Sequence, residues 1–165
     1  MLVASKNENF LDQNIDWEFP IPIAYGPGRL SEIGLFCEQF QISNPLIITD
    51  EGSKNLPFIN RLITLLQKAS IPSKLFFGVS PNPRDDEIMA GCETYRSGKH
   101  DSIIAIGGGS AMDGAKAIGM TVNSGVNLWD FEYRKPSPKI GSKNCFPTFI
   151  TVPTTAGTGA ETEST

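Results

Sequence analysis

Apolar residues fall into two patterns that take turns along this chain. Unbroken apolar runs occur at Leu46-Ile47-Ile48-Thr49, at Lys74-Leu75-Phe76-Phe77 through Val79, from Ser102 to Ile106, and at Phe149-Ile150-Thr151-Val152. Between them apolar positions recur at steps of three and four: Leu30, Ile33 and Cys37; Phe58, Leu62, Leu65, Leu66 and Ala69; Ile88, Cys92 and Tyr95; Ala111, Ala115, Ile118 and Val122. Continuous runs suit strands buried on both faces, and stepped positions suit helices with one apolar stripe. Their alternation predicts an α/β fold, a parallel sheet with helices on both faces.

The rest of the chain frames that unit. Residues 1–18 are polar and weakly patterned and are expected to form a flexible arm, with the α/β domain over 19–165. Ile21-Pro22-Ile23-Ala24-Tyr25 reads as a short strand whose proline places it at an edge. Gly26-Pro27-Gly28-Arg29 turns into a helix running to about Phe40, and Gly98 is placed to end the helix opened by Asp85-Asp86-Glu87. Those three acids compensate the helix dipole. Residues 123–147 form a long irregular stretch, and the chain shows no internal repeat or low-complexity tract.

Composition narrows the function classes. The 165 residues suffice for one domain with a real core. A net charge of −4 offers no basic surface for nucleic acid or anionic membrane. Cys37, Cys92 and Cys145 lack CxxC spacing and read as reduced thiols in a cytoplasmic protein. No apolar run reaches membrane-spanning length, and the start carries no signal-peptide pattern.

The chemistry concentrates where strands end. Ser102 to Ile106 breaks into Gly107-Gly108-Gly109, followed by Ser110, Asp113 and a helical pattern. Strand, glycine turn and helix start together make an anion cradle, because the first amides of a helix are unpaired and point outward. The loop lacks both GxGxxG spacing and the Walker lysine arrangement. Its alternative reading is a plain turn, with Ser110 and Asp113 spaced like a capping box. Asp50 sits just past a strand end, where it either accepts hydrogen bonds from an adenosine ribose or simply starts the turn Asp50-Glu51-Gly52.

Asp50 precedes the glycines, whereas the acid of the common dinucleotide fingerprint follows them by about 20 residues. Thr154, Thr155 and Thr158 offer hydroxyls to phosphate or ribose oxygens, and Lys116 reads equally as a solvated side chain. His100, the one histidine, is expected at the surface on the side opposite the cleft. A His-based metal site or a Ser-His-Asp triad within the chain is therefore not expected.

Gly107-Gly108-Gly109-Ser110-Ala111-Met112-Asp113-Gly114-Ala115-Lys116, followed by Pro153-Thr154-Thr155-Ala156-Gly157-Thr158-Gly159-Ala160-Glu161, resembles the iron-containing (group III) alcohol dehydrogenase family. Ile48-Thr49-Asp50 and Pro81-Asn82-Pro83 fit that family too, and the resemblance runs from about Phe19 to the last residue. It implies the nucleotide-binding domain of the dehydroquinate synthase-like fold. If Asp50 does hold a ribose, its acid repels a 2′-phosphate and favours NAD over NADP. Carried over, Asp50 meets the adenosine ribose and Asn82 lies near the adenosine. Gly108, Gly109 and Ser110 hold the pyrophosphate, Asp113 lies toward the nicotinamide, and Thr154, Thr155 and Thr158 line the phosphate and ribose path.

The family's second, helical domain supplies one Asp and three His to iron or zinc, and that half is expected to be absent here. The chain is thus expected to bind the dinucleotide, to lack alcohol or aldehyde turnover alone, and to form a homo-oligomer. Without that domain the face near residues 154–165 would be uncovered, so either self-association of the chain or a mobile C-terminal tail, read over the last ten residues, is expected. A non-catalytic nucleotide-binding module, or a relative of glycerol dehydrogenase or dehydroquinate synthase, remains the alternative.

Overall fold

The computed structural model describes residues 14–17, 21–141 and 145–161. Element order is β1 (Ile15–Trp17), β2 (Ile23–Tyr25), a 3-10 turn (Arg29–Glu32), α1 (Ile33–Gln39), β3 (Pro45–Asp50), α2 (Pro57–Lys68) and β4 (Lys74–Val79). There follow α3 (Asp85–Ser97), β5 (Ser102–Gly107), α4 (Gly109–Val122), a second 3-10 turn (Leu128–Phe131) and β6 (Thr148–Pro153). Most of the expected N-terminal arm lies outside the described residues. Its end, Ile15–Trp17, differs from a free arm: it pairs antiparallel with Ile23–Tyr25, and Arg29 ties this hairpin down through Asp16 at 2.9 Å.

The main sheet is parallel, in the order β4-β3-β5-β6. Strands β3 and β5 are central, and their alternate residues feed two separate cores. Leu46, Ile48, Ile103 and Ala105 pack under α3 and α4, against Ile88, Cys92, Tyr95, Met112, Ala115 and Ile118. Ile47, Ile104 and Ile106 face α1 and α2, against Ile33, Cys37, Ile59, Leu62 and Leu66. Each such isoleucine or leucine removed from water contributes roughly 1.5–3 kcal/mol. That is why these unbroken runs hold the middle of the sheet.

Three local expectations shift. The buried face of α2 is Ile59, Leu62 and Leu66; Phe58 and Leu65 flank it, and Ala69 is the exposed C-cap. Strand β4 was expected to be buried like β3, but it is an edge, and Phe77 remains 42% exposed beneath the Lys54 ammonium, 4.5 Å from the ring centroid. A register break between Ile48–Phe76 and Asp50–Val79 bulges β4 at this point and turns Val79 back into the core. Helix α3 ends beside Gly98 as expected, yet the left-handed residue is Lys99, at φ 51°.

At the amino edge of the sheet a polar clamp joins β3 and β5. Asp101 Oδ2 accepts from Ser43 N at 2.8 Å, Ser43 Oγ at 2.6 Å and Asn44 N at 3.0 Å, while its Oδ1 accepts from Ser102 Oγ at 2.7 Å. His100 corrects the sequence expectation of a surface residue: it lies at this edge but is only 8% exposed, with Nδ1 3.0 Å from the Asn44 carbonyl oxygen. Burial pushes the Asp101 carboxyl up, and the hydrogen bonds from Ser43, Ser102 and Asn44 outweigh it and leave it below its usual range.

A carboxyl lowered by folding stabilises the native state above its unfolded pKa, and that contribution fades as pH falls through the folded value. Asp101→Ala should therefore destabilise the protein at pH 7 by about 1–2 kcal/mol, discounted for the residue's exposure. Urea unfolding checks this, and the difference from wild type should shrink below about pH 4, where the unfolded carboxyl protonates.

Candidate functional site

The strand order sets where a site can form. From β3 the chain crosses to β4 on one side, then returns past β3 to β5 and moves on to β6. The direction thus reverses between β3 and β5, and in open α/β sheets the crevice at the carboxyl ends of such strands is where ligands bind. Asp50 ends β3 and Gly107 ends β5, so both stand at that crevice.

Gly107 has φ +150°, and a Cβ there would lie 2.7 Å from Ala111 Cβ, 3.2 Å from Asp50 Oδ2 and 3.4 Å from Thr49 Oγ1. Only glycine meets both the conformation and the space. Its carbonyl accepts from Thr154 N at 2.8 Å, which anchors the threonine loop to the glycine turn. A Cβ on Gly108 would meet Thr155 Oγ1 at 3.3 Å, and one on Gly109 would meet the Thr158 side chain at 3.5 Å. The glycines, Asp50 and the threonine loop therefore share one face.

Helix α4 starts here, and its start corrects the capping-box reading. Gly108 is the N-cap, in extended conformation and with no side-chain cap, so Ser110 lies inside the first turn and does not cap it. The first intrahelical bond is Met112 N to Gly108 O, 3.1 Å. The amides of Gly109, Ser110 and Ala111 precede it and have no carbonyl within the helix. With the positive end of the helix dipole behind them, they suit an anion.

The remaining predicted residues are less tightly joined. Asp50 Oδ1 accepts from Ser53 N at 2.9 Å, so the acid starts its turn as well as facing the crevice. Asn82 is exposed with φ 59°, and no described hydrogen bond ties it to the other candidates. Its loop nevertheless reaches α4, since Pro83 Cγ would be 3.5 Å from a Cβ on Gly114. Asp113 is exposed on α4, while Lys116 is half-buried and partnered. Thr154, Thr155 and Thr158 are exposed.

Two residues with local roles were missed from sequence. Glu87 does more than offset a dipole: its Oε2 accepts from Arg84 N at 3.1 Å, Ser80 N at 3.2 Å and Ser80 Oγ at 3.0 Å, which fixes the loop carrying Asn82. The Arg84 amide is the chief cause holding this carboxyl below its usual range. Thr49 is fully buried, and among the described residues its Oγ1 has no hydrogen-bond partner. The available signal was a hydroxyl closing an otherwise apolar strand. The expected mobility of the last ten residues falls partly outside the described residues; within them Ala160 is buried against the α3 and α4 core.

The family model described as iron-containing alcohol dehydrogenase matches residues 20–165. Choline dehydrogenase of Bacillus subtilis is 34% identical over 145 residues, which are 88% of this chain and 36% of that protein. The crystal structure of 1,3-propanediol oxidoreductase superimposes with a TM-score of 0.74 at 30% identity, covering 82% of this chain and 34% of that one. Sulfoacetaldehyde reductase from Bifidobacterium kashiwanohense, solved in complex with NAD+, gives a TM-score of 0.70 at 29% identity, covering 82% and 35%. The chain thus spans about a third of the length of the curated relatives it matches.

Gly107→Ala should lower stability by about 2 kcal/mol or more, because it combines a left-handed backbone with overpacking against Ala111. Thermal unfolding that matches wild type would show that the turn accepts a side chain.

Proposed function

Because the chain belongs to the iron-containing alcohol dehydrogenase family, we propose that it is the cofactor-binding part of an NAD-dependent, metal-containing alcohol dehydrogenase. The reaction assigned to the whole protein is interconversion of an alcohol with an aldehyde or ketone by hydride transfer. One observation carries this reading: the uncapped start of α4, presented by three glycines, lies against Asp50 and the threonine loop at the strand-order reversal.

In this reading the amides of Gly108, Gly109 and Ser110 hold the pyrophosphate. Asp50 Oδ2 accepts from the adenosine ribose while Oδ1 stays with Ser53 N. Asn82 lies toward the adenosine, Asp113 toward the nicotinamide, and Thr154, Thr155 and Thr158 border the phosphate and ribose path. Bound NAD supplies the ring that accepts hydride from the alcohol carbon. The residues fit this group: unpaired amides match phosphate oxygens, and a carboxylate matches ribose hydroxyls. The carboxylate repels a 2′-phosphate, which favours NAD over NADP. The NAD+ complex of the structurally similar sulfoacetaldehyde reductase supports the same assignment.

Iron or zinc belongs to the proposed whole enzyme. Among the described residues no group of three or more His, Cys, Asp or Glu is placed to hold a metal ion. These residues do not fit a metal site, and this chain's proposed role is nucleotide binding, with no turnover by residues 1–165 alone. No helix among the described residues is long and apolar enough to cross a membrane. A cytoplasmic homo-oligomer completes the proposal.

Calorimetric titration of the intact protein with NAD and NADP tests the reading. NAD should bind tighter than NADP. Asp50→Ala should weaken NAD by about tenfold or more and narrow that gap. Gly109→Val should abolish binding while circular dichroism stays unchanged. Equal NAD affinity in wild type and Gly109→Val would remove α4 from the site.

A further inference from the structure

We propose that Thr49 is a positioning residue of this site, its hydroxyl orienting the Asp50 carboxylate when a ribose is bound; the inference rests on the nucleotide reading above. Leu46, Ile47 and Ile48 are wholly apolar and fully buried, and Thr49 continues their strand with no exposure of its own. Among the described residues its Oγ1 has no hydrogen-bond partner. A buried hydroxyl without a partner destabilises the fold, whereas valine offers the same shape without that penalty. Nothing in the packing of β3 calls for the oxygen.

Its surroundings do. Thr49 Oγ1 and Asp50 Oδ2 both lie close to the place at Gly107 where a side chain would stand, at 3.4 Å and 3.2 Å from it. Gly107 leaves that point without a side chain, since its φ is +150° and a Cβ there would lie 2.7 Å from Ala111 Cβ. Asp50 Oδ1 is held by Ser53 N at 2.9 Å, and among the described residues no donor is recorded on Oδ2. Oδ2 is the oxygen left for a ribose hydroxyl.

A carboxylate oxygen accepts more than one hydrogen bond, so a hydroxyl donor at its side can fix its plane and leave a lone pair for the ligand. Thr49 Oγ1 is sealed from solvent, so it acts through Asp50 and does not touch the nucleotide. In this proposal the hydroxyl finds its partner in Oδ2 when the ribose draws that oxygen into place.

The test sets stability against affinity in the intact protein. Thr49→Val should raise the melting temperature by about 2–4 °C and weaken NAD about five- to tenfold. Thr49→Ala should lower the melting temperature through the cavity it leaves, with the same loss of affinity. Thr49→Ser should bind NAD within about twofold of wild type, because it keeps the donor. In an Asp50→Ala background, Thr49→Val should produce no further loss.

A purely structural threonine would change melting temperature without changing affinity. NAD binding by Thr49→Val equal to wild type would therefore overturn the proposal and leave the nucleotide site standing. Absence of NAD binding by the wild-type protein would instead overturn the nucleotide reading, and Thr49's role with it.

Discussion

The reversal of strand order between β3 and β5 is the constraint on which the rest of this molecule depends. Because β4 and β5 leave β3 on opposite sides, the connections after β3 and β5 part, and a crevice opens at their carboxyl ends. Everything with polar chemistry then follows from what those two strands end in. β3 ends in an acid, and β5 ends in a glycine that lets α4 begin immediately. The helix start is left without a side-chain cap, and so the crevice carries a positive dipole end beside a negative carboxylate. In the proposed reading, an anion with neighbouring hydroxyls is what would satisfy both.

That balance also accounts for the polarity of the surroundings. The protein carries a net charge of −4 and presents exposed threonines, not lysines or arginines, from the loop facing the glycines. Backbone amides work only where a phosphate can approach closely. Space at Gly108 and Gly109 is therefore as important as charge, and the threonine side chains set its width. The loop after β4 is held by a different device, a glutamate from the first turn of α3 that gathers Ser80 and Arg84 amides.

Sequence made the central strands and the glycine loop legible because each is a continuous local signal. Leu46-Ile47-Ile48 and Ile103-Ile104-Ala105-Ile106 are short and rich in β-branched residues, which favours strands buried on both faces over helices. The edge status of β4 was not legible, since periodicity within a strand does not encode which neighbours it will have. Phe77 stays exposed for that reason. The Ser110–Asp113 spacing suggested a cap, but the glycine turn lets the helix begin earlier, at Gly109. Asp50 and the threonines were read correctly as strand-end residues, whereas the partnerless Thr49 and the buried His100 depend on contacts between distant segments.

The Asp101 clamp and the glycine turn sit at opposite ends of the same strand, β5. Six residues of extended chain put roughly 20 Å between them. Across that span lies a sealed layer of isoleucines, which transmits position but very little charge. The two ends are therefore electrostatically insulated from each other. Substitutions around Ser43, Asn44 and Asp101 bear on stability alone, while those around Asp50 and Gly107 bear on the proposed nucleotide site and, at Gly107, on stability as well.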